Sequence, residues 1–283
     1  MTRIGIMQGR LVPPVGDRIQ CFPRDDWARE FSLASAAGLD CIEWIFDEFG
    51  ADANPLSTDA GIDAVLALAE KHHVHVSSIC ADYFMDRPLV RANPAELAEH
   101  TAVLDWLLRR CGHLGADRVV VPFVDASRID TAEELSDVTA VLRQSLPVAE
   151  ETGIEIHLES SLEPERLASL LELLPHALLK VNYDSGNSSS LGYHPQAEFS
   201  AYGARVGSVH IKDRVLQGGT VLLGSGDADL SALFDCLEGV GYAGDIILQV
   251  ARNVSGDEVA WARFNRHIVV DHLAAAGLPG EAS

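Results

Sequence analysis

The chain has no apolar stretch near the ~18 residues that cross a bilayer. It has no Cys-x-x-Cys pair, and no Gly-x-Gly-x-x-Gly follows its first β-type run. Basic residues are scarce: 21 Lys and Arg stand against 42 Asp and Glu, a formal charge of −21. These absences exclude several classes. A phosphate-backbone partner needs a basic footprint, so no nucleic-acid role is expected, and an anionic membrane surface is disfavoured for the same reason. A phosphorylated small molecule stays compatible, because a few local cations override a global field. The five cysteines, Cys21, Cys41, Cys80, Cys111 and Cys236, are odd in number and scattered. They read as reduced core thiols, and MTRIGIMQGR lacks the layout of a signal peptide, so a cytoplasmic protein is expected. The missing glycine fingerprint argues against a doubly wound dinucleotide fold.

What is present is a regular alternation of short β-branched runs and longer amphipathic ones. The expected strands are 3–9, 40–46, 74–81, 118–124, 155–159, 178–184, 208–212 and 245–250. Helical patterns such as DAGIDAVLALAEKHH and TAEELSDVTAVLRQSLPVAEETG lie between them. Thr131 with Glu134 suits a capping box, and Gly38, Gly115 and Gly153 suit positions just past helix ends. Pro147 is expected to weaken or kink its helix. Eight such β/α units of about 35 residues predict an α/β fold, a closed (β/α)8 TIM barrel. No linker or low-complexity tract interrupts them, so residues 1–283 are expected to form a single domain. The segments 11–24, 82–93 and 214–227 follow strands and read as rim loops or lids.

Four polar residues sit where apolar runs end: Glu159 in IEIHLE, Asp184 in LKVNYD, His210 in GSVHIK and Gln249 in DIILQV. Their spacings, 25, 26 and 39 residues, each match about one strand, one helix and their loops. Four such side chains at neighbouring strand ends are suited to hold one divalent cation at a barrel mouth. An oxygen-rich set with one imidazole suits Mn²⁺, Mg²⁺ or Co²⁺, with Zn²⁺ also compatible. Bound to vicinal oxygens of a hydroxy-carbonyl compound, such an ion acidifies the α-proton, and Glu159 is the leading base. His157 reads as a core histidine. His72, His73 and His75 read as helix-end residues favoured by the dipole.

The motifs IGIMQGRL, CIEW, HLES, NYDSGN, VHIKDR and LGSGDADL resemble those of the sugar phosphate isomerase/epimerase superfamily of xylose isomerase-like TIM barrels. They span nearly the full chain. In typical epimerases of that family two glutamates, a histidine and an aspartate hold the metal, and the glutamates act as acid and base. Glu159, Asp184 and His210 match that set; Gln249 departs from it. An amide ligates through oxygen but cannot serve as a second base. The residues therefore favour one-base chemistry, either isomerisation through an enediol or dehydration of a keto-polyol. A degraded barrel that only binds sugar is the non-enzymatic alternative. Asn187 stands where some epimerases carry a substrate-contacting histidine. Lys212 as a catalytic cation, and Arg214, Glu43, Gln8 and Arg10 as substrate-binding groups, complete the expected site. Trp44 and Tyr83 are expected either to stack on a sugar ring or to pack in the core. The implied partner is a small sugar-derived molecule, and barrels of this type often pair into homo-oligomers.

Overall fold

A computed structural model describes residues 2–16, 18–252 and 256–278. Eight strands, β1 Ile4–Met7, β2 Cys41–Ile45, β3 His75–Cys80, β4 Arg118–Phe123, β5 Glu155–Ser160, β6 Leu179–Asp184, β7 Val206–Ile211 and β8 Ile246–Leu248, close into a barrel. Their order is β1-β8-β7-β6-β5-β4-β3-β2, and every neighbouring pair is parallel. The crossover helices are α1 Arg29–Ala37, α2 Asp59–His72, α3 Pro94–Leu114, α4 Ala132–Thr152, α5 Pro164–Leu173, α6 Pro195–Tyr202, α7 Leu230–Gly239 and α8 Glu258–Ala275. This is the (β/α)8 architecture that the alternation predicts. The strands are nearly continuous buried runs because helices cover the barrel outside and side chains fill it inside.

Local signals operate as expected at several helix ends. Thr131 Oγ1 accepts from the Glu134 N–H while the Glu134 carboxylate accepts from the Thr131 N–H. Gly38, Gly115 and Gly153 end α1, α3 and α4 with φ of 75°, 71° and 72°. α4 runs from Ala132 to Thr152 with Pro147 inside it. The 82–93 segment holds a one-turn helix, Tyr83–Asp86, and the 214–227 segment belongs to a small antiparallel hairpin pairing Asp213–Arg214 with Thr220–Val221. Segment 11–24 has no helix or strand among its described residues.

Alternation along β2 sends Glu43 inward and Trp44 outward. Trp44 is wholly buried beside Phe22, Trp27 and Phe31, and its Nε1–H donates to Asn54 Oδ1 at 3.0 Å. Tyr83 packs against Phe46, Phe84 and His100. Of the two expectations for these rings, packing holds; they clamp β2 and β3 to the helical layer. The opposite end of the barrel is closed by charge. Arg118 and Arg3 both pair with Asp245, at 2.9 and 2.7 Å, and Glu155 takes Lys180 at 2.5 Å and the His157 ring at 2.7 Å. No described helix is long and apolar enough to cross a membrane.

Trp44→Ala should lower the unfolding free energy by about 3–5 kcal/mol in a urea titration, because it empties a site with no exposed surface. Burial opposes the charge on Glu155, but hydrogen bonds from His157 and Lys180 prevail and hold its pKa at about 2, against an ordinary 4.5. The stability this contributes is present above pH 4.5 and lost as pH falls towards 2. Acid unfolding of Glu155→Gln followed by circular dichroism should therefore show a shallower fall across that window than the parent.

Candidate active site

At the C-terminal mouth, β5, β6 and β7 deliver Glu159, Asp184 and His210 to one point. One ligand atom from each lies within 4.8 Å of the others, and all three residues are buried. In the barrel register Asp184 is the direct partner of His210. Register shifts fall at Val181/Asn182 and Ile42/Glu43, immediately before the inward-facing polar residues, where an irregular pair re-aims the side chains that follow.

Each member is fixed by a neighbour that leaves one atom over. Asp184 caps the short helix Ser185–Leu191, its Oδ1 accepting the Asn187 N–H at 2.8 Å. That commits one oxygen and turns Oδ2 to the centre. His210 Nε2 lies 2.7 Å from Glu43 Oε1, and Glu43 Oε2 accepts from Ser78 Oγ at 2.6 Å. The carboxylate can only accept, so Nε2 carries the proton and Nδ1 faces Glu159 Oε2 at 3.3 Å and Asp184 Oδ2 at 3.9 Å. Burial disfavours charge on this imidazole, yet Glu43 and Glu159 outweigh it and raise its pKa to about 10. The same pairing holds the Glu43 carboxyl below its ordinary value against the penalty of burial. Glu159 Oε1 accepts from Asn187 Nδ2 at 2.7 Å, and Asn182 Nδ2 lies 3.4 Å from Oε2.

Lys212 stands beside this centre. Its Nζ is 2.8 Å from Asp184 Oδ2 in an ion pair and donates to Gln249 Oε1, also at 2.8 Å. Gly186 makes room for its stem: a Cβ there would come within 2.7 Å of Lys212 Cγ. The Gln249 amide nitrogen donates to Gln20 Oε1 at 3.0 Å, and Gln20 Nε2 donates to Asp82 Oδ2 at 2.8 Å. Arg214 donates to Asn187 Oδ1 at 3.0 Å and to the Gly218 carbonyl. Among the described residues no ion pair joins Asp213 to Lys212 or Arg214. Asp213 collects the backbone N–H groups of Gly224, Gly226 and Ala228, and so shapes the LGSGDADL loop.

A cavity of about 430 Å³ opens above the triad, lined among others by Arg10, Gln20, Asp82, Glu159, Asn187, Lys212, Arg214 and Gln249. Glu43 and Gln8, expected as substrate-binding groups, are not on its wall. Glu43 lies beneath the floor, fully buried against His210 and Ser78, because its strand position is one layer deeper. Gln8 Oε1 is used by the Ile45 N–H at 2.9 Å, tying β1 to β2. Arg10 reaches the cavity while its guanidinium also donates to Gln20 Oε1 and the Ile19 carbonyl, holding the segment after β1. Gln20, Asn182 and Ser78 carry contacts that no motif announced. The inward parity of Asn182 with Asp184 was the one available signal.

The chain matches the family model described as xylose isomerase-like TIM barrel over residues 31–264. A curated relative, 2-epi-5-epi-valiolone 7-phosphate 2-epimerase of Actinoplanes sp., is 26% identical over 243 residues, which is 84% of this chain and 82% of the relative. Among solved structures, an L-ribulose 3-epimerase superimposes with TM-score 0.75 at 20% identity, covering 98% of this chain and 96% of its own. The IOLI protein, solved with a bound zinc atom, gives 0.77 at 17% identity, covering 97% and 99%. With a closed barrel of eight parallel strands and a family model that matches residues 31–264, the chain belongs to the xylose isomerase-like TIM barrel family.

Proposed function

We propose that this chain is a divalent-metal-dependent isomerase or epimerase of a sugar or keto-polyol, working by proton removal beside a carbonyl. The observation that carries the reading is the convergence of Glu159, Asp184 and His210, three buried residues each offering one ligand atom within 4.8 Å of the others. A cation at that point would be held by the two carboxylates and by His210 Nδ1 once the ring has released its proton there. Glu159, Asp184 and His210 would hold it, with Glu43 as the carboxylate that sets the imidazole tautomer. Gln249 is a fourth ligand only once its carbonyl leaves Lys212. The bound ion supplies Lewis-acid polarisation of a substrate carbonyl.

Glu159, steadied by Asn182 and Asn187, takes the α-proton. Lys212 places positive charge where oxygen gains electron density, which favours the enediolate over the starting ketone. Arg214 and Arg10, on the wall, bind hydroxyl or phosphate oxygens. The name of the Actinoplanes relative supports a phosphorylated cyclic keto-polyol as one candidate substrate.

Chelator-stripped protein titrated with MnCl₂ should bind about one ion per chain, and His210→Ala should abolish uptake. Incubated in D₂O with D-fructose, L-ribulose or 2-epi-5-epi-valiolone 7-phosphate, the holoenzyme should wash deuterium into one of them. Glu159→Gln should slow that exchange by ~10²–10⁴-fold. Mass spectrometry showing neither metal nor exchange would remove the proposal.

A further inference from the structure

The cavity wall carries a carboxyl that has no part in the reading above. Asp86 and Asp125 are exposed, and Asp47 is consumed by the backbone N–H groups of Phe22 and Gly50. Asp82, just past β3, is different. Its Oδ2 accepts from Gln20 Nε2 at 2.8 Å and its Oδ1 from the Cys80 thiol at 3.2 Å, both neutral donors. Among the described residues no Lys or Arg pairs with it within 4.0 Å.

We infer that Asp82 is the second acid–base group of this site, exchanging a proton with the substrate α-carbon on the face that Glu159 does not serve. The inference rests on the proposed enediolate chemistry. The last strand presents Gln249, which has no proton to trade near neutral pH. Gln20 supplies the link to a group that has one: its single carboxamide accepts from Gln249 and donates to Asp82. The Asp82 carboxyl therefore stands one amide width from the side chain of the last strand, on the wall of the same cavity as Glu159. Burial, with a further push from the charge of Glu159, raises its pKa to about 6 against the bonds from Gln20 and Cys80. A carboxyl so placed holds or releases a proton near neutrality, as an acid–base catalyst requires.

The step balances without any further reactant. Glu159 takes the α-proton, the C–H electron pair becomes the carbon–carbon double bond, and the carbonyl π pair moves to oxygen. Protonated Asp82 then gives its proton to the same carbon from the other side, and the enediolate collapses to the epimeric ketone. Glu159 is left protonated and Asp82 ionised, and exchange with water restores both. The reverse direction exchanges their roles.

The test uses metal-loaded full-length protein in D₂O with the three compounds named above. Asp82→Asn should lose epimer formation by ~10²-fold or more while deuterium still enters the recovered substrate. Asp82→Glu, which keeps a carboxylic acid, should retain epimer formation far better than Asp82→Asn. Three results would overturn the assignment alone: undiminished epimerisation by Asp82→Asn, equal loss of exchange and epimerisation in that variant with metal uptake intact, or Asp82→Glu no better than Asp82→Asn. Absence of exchange in the parent enzyme with every compound would instead overturn the functional reading, and this assignment with it.

Discussion

An imidazole sealed inside a barrel has two nitrogens and a choice of which one to offer. Glu43 makes that choice for His210. By accepting at Nε2 it turns Nδ1 towards the mouth, and its charge makes burial of a cationic ring tolerable. Glu43 in turn depends on Ser78, and both depend on the irregular register between β2 and β3. The stability linkage has a definite sign. The contribution of the raised imidazole is complete below its ordinary value of 6.5 and is lost as pH rises through about 10.

The barrel was legible because its signals are periodic and repeated. Each strand is a short buried run, the crossover helices other than α5 have a side-chain cap or a glycine at their end, and eight repeats leave few alternatives. The triad was legible for a related reason: in a parallel barrel, the polar residue that ends a buried run falls at the mouth. Depth was not legible. Glu43 and Glu159 both read as polar residues on inward faces, yet one lies on the wall and the other beneath the floor. That difference arises from strand stagger and register shifts, which leave no mark in residue type. Nor did hydrophobic pattern show that Trp44 faces helices, since a strand buried on both faces has no polar side to set parity.

Hydrogen-bond partners across loops were the least readable part. Gln20 sits in a segment with no periodicity, yet its carboxamide joins the first βα connection to the last strand and to the third. Asn187 likewise holds Glu159, Asp184 and Arg214 through three different atoms. Such contacts depend on where loops settle in space, and amide side chains adapt to many settings. The functional centre thus combines residues placed by strands, which a pattern can find, with amides placed by loops, which it cannot.

The loop that follows the rim hairpin is held by Asp213 through backbone N–H groups, not through side chains. Gly226 allows that approach, since a Cβ there would fall 2.3 Å from Asp213 Oδ1. A turn anchored in this way is indifferent to most of the side chains it displays. Ser225 projects from a frame whose shape it does little to determine, while the Asp227 carboxylate accepts the Leu216 N–H at 2.6 Å and ties the turn to the hairpin. Evolution can therefore exchange the outward lettering of this turn, and with it what the entrance admits, without unsettling the ring of strands underneath.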